Sequence, residues 1–336
     1  MKKILVTGGL GFIGSHTVVE LQEAGFEVVI IDNLLNSKIE VLDNIEKITS
    51  QKPEFFNLDL RNKKDVNHFF NTNLIDGIIH FAASKAVGES VEKPLEYYEN
   101  NINSLVYLLQ EMRDHNISNF IFSSSCTVYG QASELPITEN SPVKPAESPY
   151  GNTKQIGEEI IKDTCKADHL NAIALRYFNP IGAHESIKIG ELPLGVPQNL
   201  IPYITQTAAG IRKQLSVFGN DYNTPDGTAI RDYIHVVDLA KAHIAALQRL
   251  LDKKNNQKFE YFNVGTGKGS SVLEIIHAFE NVTQQELNYQ IVGRREGDVT
   301  AAYADTTKAQ SELNWKTEKT LDEALKSAWE WQKRQS

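Results

Sequence analysis

The chain is predicted to be an α/β protein: a doubly wound parallel sheet with a smaller C-terminal α/β substrate-binding domain. Three observations predict this. Short β-branched runs alternate with amphipathic stretches through the first half of the 336 residues. A glycine-spaced turn joins the first run to the first amphipathic stretch. Beyond Asn179-Pro180, proline and glycine crowd the chain, as they do in a ligand-lining lobe built on loops. Strand–helix alternation at this spacing implies right-handed crossovers, with helices on both faces of a parallel sheet.

Lys3–Thr7 opens the series as a strand and leads into a helical pattern over Phe12–Ala24. Glu27–Ile31, Glu54–Asn57, Gly77–Ala82, Asn119–Ser123 and Asn171–Tyr177 continue the strands. Leu95–His115 and Asn152–Lys166 carry the amphipathic period of helices and are followed by Gly, Asn or Asp. After the turn-rich stretches 180–202 and 221–227, Val236–Leu251 is again a helix and Phe259–Gly265 an apolar strand. Ser271–Thr283, Thr306–Leu313 and Leu321–Lys333 read as surface helices. Residues 1–178 are therefore expected to form the first domain, rejoined by about 235–265, and 179–336 the second.

Composition removes several functions. With 41% hydrophobic and 23% charged residues the chain has the make-up of an ordinary globular protein. A net charge of −9 argues against nucleic acid or an anionic membrane as partner. No apolar run reaches the ~18 residues that a membrane-spanning helix needs. The N-terminal MKKILVTGG runs into glycines too soon for a signal peptide and reads as a first strand. Two cysteines, Cys126 and Cys165, point to a reducing compartment, the cytoplasm. The nine histidines are scattered, with no HExxH or Cys-x-x-Cys spacing, so no metal is assigned.

Gly8-x-x-Gly11-x-x-Gly14 lies between the first strand and the first helix. Glycines there permit the tight turn, close approach of a pyrophosphate, and tight helix–strand packing. The amides of Phe12, Ile13 and Gly14, at the helix N-terminus, favour the phosphate charge. Three glycines alone are weak evidence, because many strand-to-helix turns use them only for geometry. Asp32, closing the second strand, adds the context: a carboxylate there accepts a ribose diol and repels a 2′-phosphate. The sheet is thus Rossmann-type and its cofactor NAD rather than NADP.

Tyr150 and Lys154 stand four apart, which on a helix puts both side chains on one face. A tyrosine of pKa ~10 is a poor base at neutral pH. A nearby ammonium stabilises its phenolate. Tyr-x-x-x-Lys by itself is commonly a solvated helix face. What lifts it is the hydroxyl run Ser123-Ser124-Ser125-Cys126-Thr127 at a strand's carboxyl end, where parallel sheets bind ligands. Ser125, Thr127, Tyr150 and Lys154 form the candidate catalytic set, whereas Cys126 reads as a small packing residue.

The chain resembles the extended short-chain dehydrogenases/reductases over essentially its whole length, most nearly the branch that epimerises UDP-hexoses at C4. The resemblance rests on Ile121-Phe-Ser-Ser-Ser-Cys-Thr-Val-Tyr-Gly130, Leu175-Arg-Tyr-Phe-Asn-Pro180, Phe218-Gly-Asn-Asp-Tyr222, Arg231-Asp-Tyr-Ile-His235 and Arg294-Arg-Glu-Gly-Asp298. Related dehydratases carry an acidic pair after the strand-end hydroxyl, where this chain has Cys126-Thr127-Val128. The resemblance implies that Asn33, Asn36 and Ser37 join Asp32 at the adenosine ribose and that Asp59 and Leu60 meet the adenine. It also places Phe81, Ala82, Lys85, Asn100 and Tyr177 around NAD. On the substrate side it implies Phe178, Asn179, Asn199, Leu200, Phe218, Arg231, Arg295 and Asp298 around the uridine diphosphate. Guanidinium groups suit a diphosphate, although any one of these arginines alone would read as a solvated charge.

The implied activity is interconversion of UDP-glucose and UDP-galactose in galactose metabolism, through a 4-keto sugar that turns over before hydride returns. The alternatives are a UDP-N-acetylglucosamine 4-epimerase supplying surface polysaccharide precursors, and a net dehydrogenase or dehydratase of the same fold. A non-catalytic NAD sensor would keep the glycine turn without needing Tyr150, Lys154 and Ser125. The family lines the sugar's 2-substituent with a residue just after Asp298. Counting places Ala302 there, which leaves room for an N-acetyl group unless a one-residue shift brings in Tyr303. The resemblance also suggests a homodimer through Leu95–His115 and Asn152–Lys166. The first of these bears the broad apolar series Ile102, Leu105, Val106, Leu108, Leu109 and Met112.

Overall fold

The computed structural model describes residues 1–295 and 298–335. From the N-terminus the chain runs β1 (Lys3–Thr7), α1 (Phe12–Glu23), β2 (Glu27–Asp32), α2 (Glu40–Thr49), β3 (Glu54–Asn57), α3 (Lys63–Thr72) and β4 (Gly77–His80). It continues through α4 (Val87–Glu92), α5 (Pro94–Asp114), β5 (Asn119–Ser123), α6 (Pro149–Ala167) and β6 (Asn171–Tyr177). Shorter elements follow: β7 (Asn179–Ile181), α7 (Leu200–Ala208), β8 (Leu215–Phe218), β9 (Ile230–Arg231) and β10 (Tyr233–His235). Next come α8 (Val236–Leu251), β11 (Phe259–Val264), β12 (Ser270–Ser271) and α9 (Val272–Thr283). β13 (Tyr289–Val292), β14 (Ala301–Ala302), α10 (Thr307–Leu313) and α11 (Leu321–Gln335) end the described chain.

Seven strands form one parallel sheet in the order β11-β6-β5-β4-β1-β2-β3. The winding reverses between β1 and β4, and a crevice at the carboxyl ends of such neighbours is where doubly wound sheets bind ligands. Successive residues of a strand point to opposite faces. Ile4 and Val6 of β1 pack on one face with Val18 of α1 and Leu247 of α8. Leu5 packs on the other with Phe69 of α3, Leu105 of α5 and Ile161 of α6. Both faces are dry, which is why these strands read as unbroken apolar runs.

A separate core holds the second lobe. Ile201 and Ile204 of α7, Val217 of β8, Phe279 of α9 and Trp329 of α11 pack together there. Four boundaries differ from the sequence reading in ways that matter. β4 stops at His80, because Phe81 and Ala82 leave the ladder to pass over Gly8. β2 runs on to Asp32, which pairs with Asn57. β11 stops at Val264, ahead of Gly265. α6 starts at Pro149, not Asn152, with Ser148 Oγ capping the amide of Gly151 at 3.1 Å. That earlier start brings Tyr150 into the helix. No described helix is long and apolar enough to cross a membrane.

Candidate active site

The glycine turn stands at the switch point. Gly8 adopts a φ of +68° and Gly14 packs so closely that an added Cβ would lie 2.1 Å from the Gly8 carbonyl oxygen. No side chain caps α1, and its first turn carries no acidic residue. The amides of Phe12, Ile13 and Gly14 thus present the positive end of the helix to this crevice. Asp32, at the tip of β2, is buried and accepts hydrogen bonds from the amides of Leu10 (3.1 Å) and Leu34 (3.0 Å) and from Ser37 Oγ (2.7 Å). Two of these fall on Oδ1 and one on Oδ2, which leaves Oδ2 a lone pair for a ribose hydroxyl. Asn36 is exposed on the adjoining loop. Asn33 Nδ2 donates to Asp59 at 3.2 Å. The Arg61 guanidinium beside Asp59 holds its carboxyl down at about 2. The Leu60 side chain lies in the core, so only its backbone can face a base.

The hydroxyl chemistry gathers at the end of β5. Lys154 Nζ donates to the Ser123 carbonyl at 2.6 Å, and Ser123 Oγ meets the Tyr177 hydroxyl at 2.6 Å. Ser125 stands close enough to the Tyr150 hydroxyl to act on it and accepts the Thr127 amide at 3.2 Å. The Thr127 hydroxyl is buried and has no partner, which leaves it free for a ligand hydroxyl. Burial pushes the Tyr150 phenol well above 10, against the pull of Ser125. Burial lowers Lys154 to about 8, with Glu158 opposing it. Burial thus keeps the Tyr150 phenol protonated at neutral pH. Burial also raises the Cys126 thiol to about 11, so it is no nucleophile.

The second lobe brings opposite charges together. Arg231 of β9 and Arg295 both donate to Asp298, at 3.4 Å and 2.8 Å to Oδ1. The Arg295 guanidinium also lies 5.5 Å from the Phe218 ring centroid. Glu296 and Gly297, of the same sequence motif, lie outside the described residues. The Arg231 charge acts on the Cys126 thiol just past β5, opposing the burial that raises it. Asn179 sits on β7 beside Tyr233, and Phe178 packs with Val128 and Ala302. Asn199 caps the start of α7 by position only, and Leu200 is its first residue.

Other predicted residues are engaged elsewhere. Lys85 Nζ reaches Glu191 at 3.4 Å, and the same carboxylate oxygen accepts Asn199 Nδ2 at 2.7 Å. Asn100 donates to Ser84 and Asn101. Sequence reasoning missed the buried Asp232, which takes four donors from Thr266, Gly267 and Ala304 and so holds β9 near β14. Its flanking word Arg231-Asp-Tyr-Ile-His235 was the available signal. Ser124, Glu158 and Arg176 were missed as well, because nothing local distinguishes them.

Comparison with known proteins agrees with this geometry. The family described as GDP-mannose 4,6-dehydratase matches residues 5–328. The UDP-glucose 4-epimerase of Dictyostelium discoideum is 52% identical over 331 residues, covering 98% of this chain and 95% of its own. The crystal structure of the Stenotrophomonas maltophila UDP-glucose 4-epimerase, with NAD and formylated UDP-arabinopyranose bound, superposes with a TM-score of 0.96. It is 44% identical and covers 100% of this chain and 99% of its own. The Bifidobacterium longum UDP-glucose 4-epimerase, in complex with NAD+ and UDP, gives 0.95 at 47% identity, covering 99% and 98%. The chain belongs to the extended short-chain dehydrogenase/reductase family, in its UDP-glucose 4-epimerase branch.

Proposed function

We propose that this chain is an NAD-dependent 4-epimerase that interconverts UDP-glucose and UDP-galactose through a 4-keto sugar. One observation carries the reading: Tyr150 and Lys154, on one buried turn of α6, meet the end of β5, where Lys154 Nζ donates to the Ser123 carbonyl and the buried Thr127 hydroxyl has no partner among the described residues. NAD, when bound, supplies the hydride acceptor and a positive charge. The residues to hold it are Gly8, Gly11, Phe12, Ile13 and Gly14 at its pyrophosphate, Asp32, Asn33, Asn36 and Ser37 at a ribose, and Asp59, Phe81 and Ala82 alongside. Tyr150 Oη takes the proton of the sugar's 4-hydroxyl and later returns it. The Lys154 ammonium stabilises the phenolate, while Ser125 and Thr127 hold the reacting oxygen. Arg231 and Arg295 grip the diphosphate, Asp298 accepts a ribose hydroxyl, and Phe218 covers the base. The sugar itself must stay loosely held, so that its two faces can exchange.

The test is to incubate purified protein with UDP-galactose, adding no cofactor, and to analyse the products. UDP-glucose should accumulate, and heat should release NAD rather than NADP, since Asp32 repels a 2′-phosphate. A released oxidised sugar in place of the epimer would reject the reading.

Substrate range is proposed from β14. Ala302 and Ala304 are buried while Ala301 and Tyr303 face the other way, the period-2 pattern of a strand. The Tyr303 ring lies against Gly269, where a Cβ would come within 3.0 Å of it. Ala302, not Tyr303, is therefore the residue beside Phe178 and Val128. We infer that N-acetylated UDP-hexoses are accepted as well. Ala302→Tyr should lower their kcat/KM by ~10–200-fold and spare UDP-galactose. Wild-type protein inert toward UDP-N-acetylglucosamine would contradict this.

We also propose a cytoplasmic homodimer. Both cysteines are free, as in a reducing compartment. On α5, Leu105, Leu108, Leu109 and Met112 are core, but Ile102 and Val106 remain half-exposed and Leu95 is exposed. A groove of about 210 Å³ between α5 and α6 is lined by Val106, Leu109 and Ile160 among others. Twofold pairing of α5 and α6 would cover it. Light scattering at micromolar protein should give twice the 37.6 kDa chain mass; a monomer mass would refute the dimer.

A further inference from the structure

The three serines closing β5 make different bonds, and one has no place in the chemistry above. Ser123 offers its carbonyl to Lys154, and the Ser125 hydroxyl lies near that of Tyr150. Ser124, fully buried between them, donates instead to Glu158 Oε1 at 2.5 Å. Glu158 follows Lys154 by one turn of α6 and is itself buried. Its carboxylate also takes two bonds from Arg176 of β6, Nε to Oε1 at 3.0 Å and NH2 to Oε2 at 2.5 Å.

Arg176 is fixed in turn. Its guanidinium lies 4.1 Å from the Tyr261 ring centroid and 4.9 Å from that of Tyr129, and it donates to the Tyr129 hydroxyl at 3.0 Å. The Tyr129 hydroxyl donates onward to Asn263 Oδ1 at 2.7 Å, and Asn263 Nδ2 to the Ile137 carbonyl at 2.9 Å. A buried network of hydrogen bonds therefore runs from β11 through β6 to the serine turn. Such networks hold a single geometry, since each member left unpaired would be costly.

We propose that Glu158 is a positioning residue for the epimerase reaction: clamped by Arg176, it fixes the serine turn through Ser124 and places a negative charge one helical turn from the Lys154 ammonium. Fixing Ser124 sets both neighbours, because the Ser123 carbonyl and the Ser125 hydroxyl are one residue to either side. A reacting geometry tolerates little slack, and a displacement of about 1 Å can cost ~10²-fold in rate. The charge acts on Lys154 alone among the residues named as catalytic. Two other titratable groups face that ammonium. His80, packed below it, is driven down to about 3 by burial and stays neutral. Tyr150 is protonated in the resting site. Around Arg176, Tyr129 is pushed up to about 12 by burial, and Glu139 is also raised by burial with Lys308 opposing it. Among the described residues Glu158 is thus the only fixed carboxylate acting on Lys154, and it keeps the lysine protonated against its own desolvation.

The inference rests on the 4-epimerase reading, and the experiment separates the two. Glu158→Gln and Ser124→Ala are compared with wild type in kcat, KM for UDP-galactose, UDP affinity and the pH profile of kcat. Glu158→Gln should lower kcat by ~10–100-fold, with KM and UDP affinity within about twofold. Its alkaline limb should fall at lower pH, because Lys154 loses the carboxylate that holds its proton. Ser124→Ala keeps the ion pair and the Lys154 charge, so kcat should drop while the alkaline limb stays in place. Glu158→Asp should restore the alkaline limb but only part of kcat. Should Glu158→Gln fail to fold, Ser124→Ala and Glu158→Asp decide the matter. Wild-type kcat in a folded Ser124→Ala, or an unmoved alkaline limb in a folded Glu158→Gln, overturns the proposal. Wild-type protein without epimerase activity would instead overturn the reading beneath it.

Discussion

Tyr150→Phe is expected to lower kcat by at least ~10²–10⁴-fold while the protein stays folded and binds UDP as before. The nearby Ser125 hydroxyl keeps its bond to the Thr127 amide when the phenol's hydroxyl is removed. The ring stays in its buried place, so the deletion tests chemistry rather than packing. Lys154→Ala should produce a loss of the same order. Its ammonium lies 5.8 Å from the Tyr150 ring centroid and is the nearest cation that can stabilise a phenolate. Both variants are checked by steady-state kinetics on UDP-galactose, with UDP binding by calorimetry and a thermal melt as controls. Turnover like wild type in Tyr150→Phe would remove the assignment of the base. The contacts proposed for UDP lie on the other lobe, around Arg231 and Asp298, so affinity for UDP has no reason to change.

Gly14→Ala should have the largest structural effect of any single methyl added to this chain's glycine turn. The new Cβ would sit 2.1 Å from the Gly8 oxygen and 2.9 Å from the Gly9 Cα, all backbone atoms that cannot swing aside. The turn must open, which spoils both the packing of α1 on β1 and the approach of a pyrophosphate. We expect a stability loss of ~3 kcal/mol or more, the upper part of the range for point substitutions. Purified Gly14→Ala should carry no NAD. The control is Gly293→Ala, where nothing lies within 4 Å of the added carbon. Equal melting temperatures and equal bound nucleotide in the two variants would show that the turn tolerates the methyl, against this argument.

Much of this site was legible along the chain, because its parts are local. The glycine spacing, the Tyr150–Lys154 interval and the position of Asp32 at a strand's end depend only on the repeats of helix and strand. The catalytic turn was legible although α6 was first placed from Asn152, since Ser148-Pro149 is itself a start signal that the pattern of apolar residues overlooked. Helices α2 and α3 went unmarked for a different reason. Each is only 10 residues long and mostly polar, burying two or three side chains, although those few do fall on one face. α4 is shorter still, with Ser90 its one buried residue.

What the sequence determined by itself was the fold class, the glycine turn and the Tyr150–Lys154 interval proposed as the acid–base pair, all of which are encoded in intervals of a few residues. The tertiary structure alone decided which distant groups meet. Arg231 and Asp298 converge across the second lobe, Lys85 reaches Glu191 from 106 residues away, and Tyr303 turns toward Gly269 while Ala302 packs with Phe178 and Val128. Glu158 and Arg176 are the clearest case, since a lone Glu on a helix and a lone Arg in a strand read as ordinary surface charges. They are buried here because each finds the other, bidentate, in a dry space that neither could enter unpaired. Local periodicity fixes where a side chain points, but the cost of desolvating a charge depends on what the rest of the chain brings beside it.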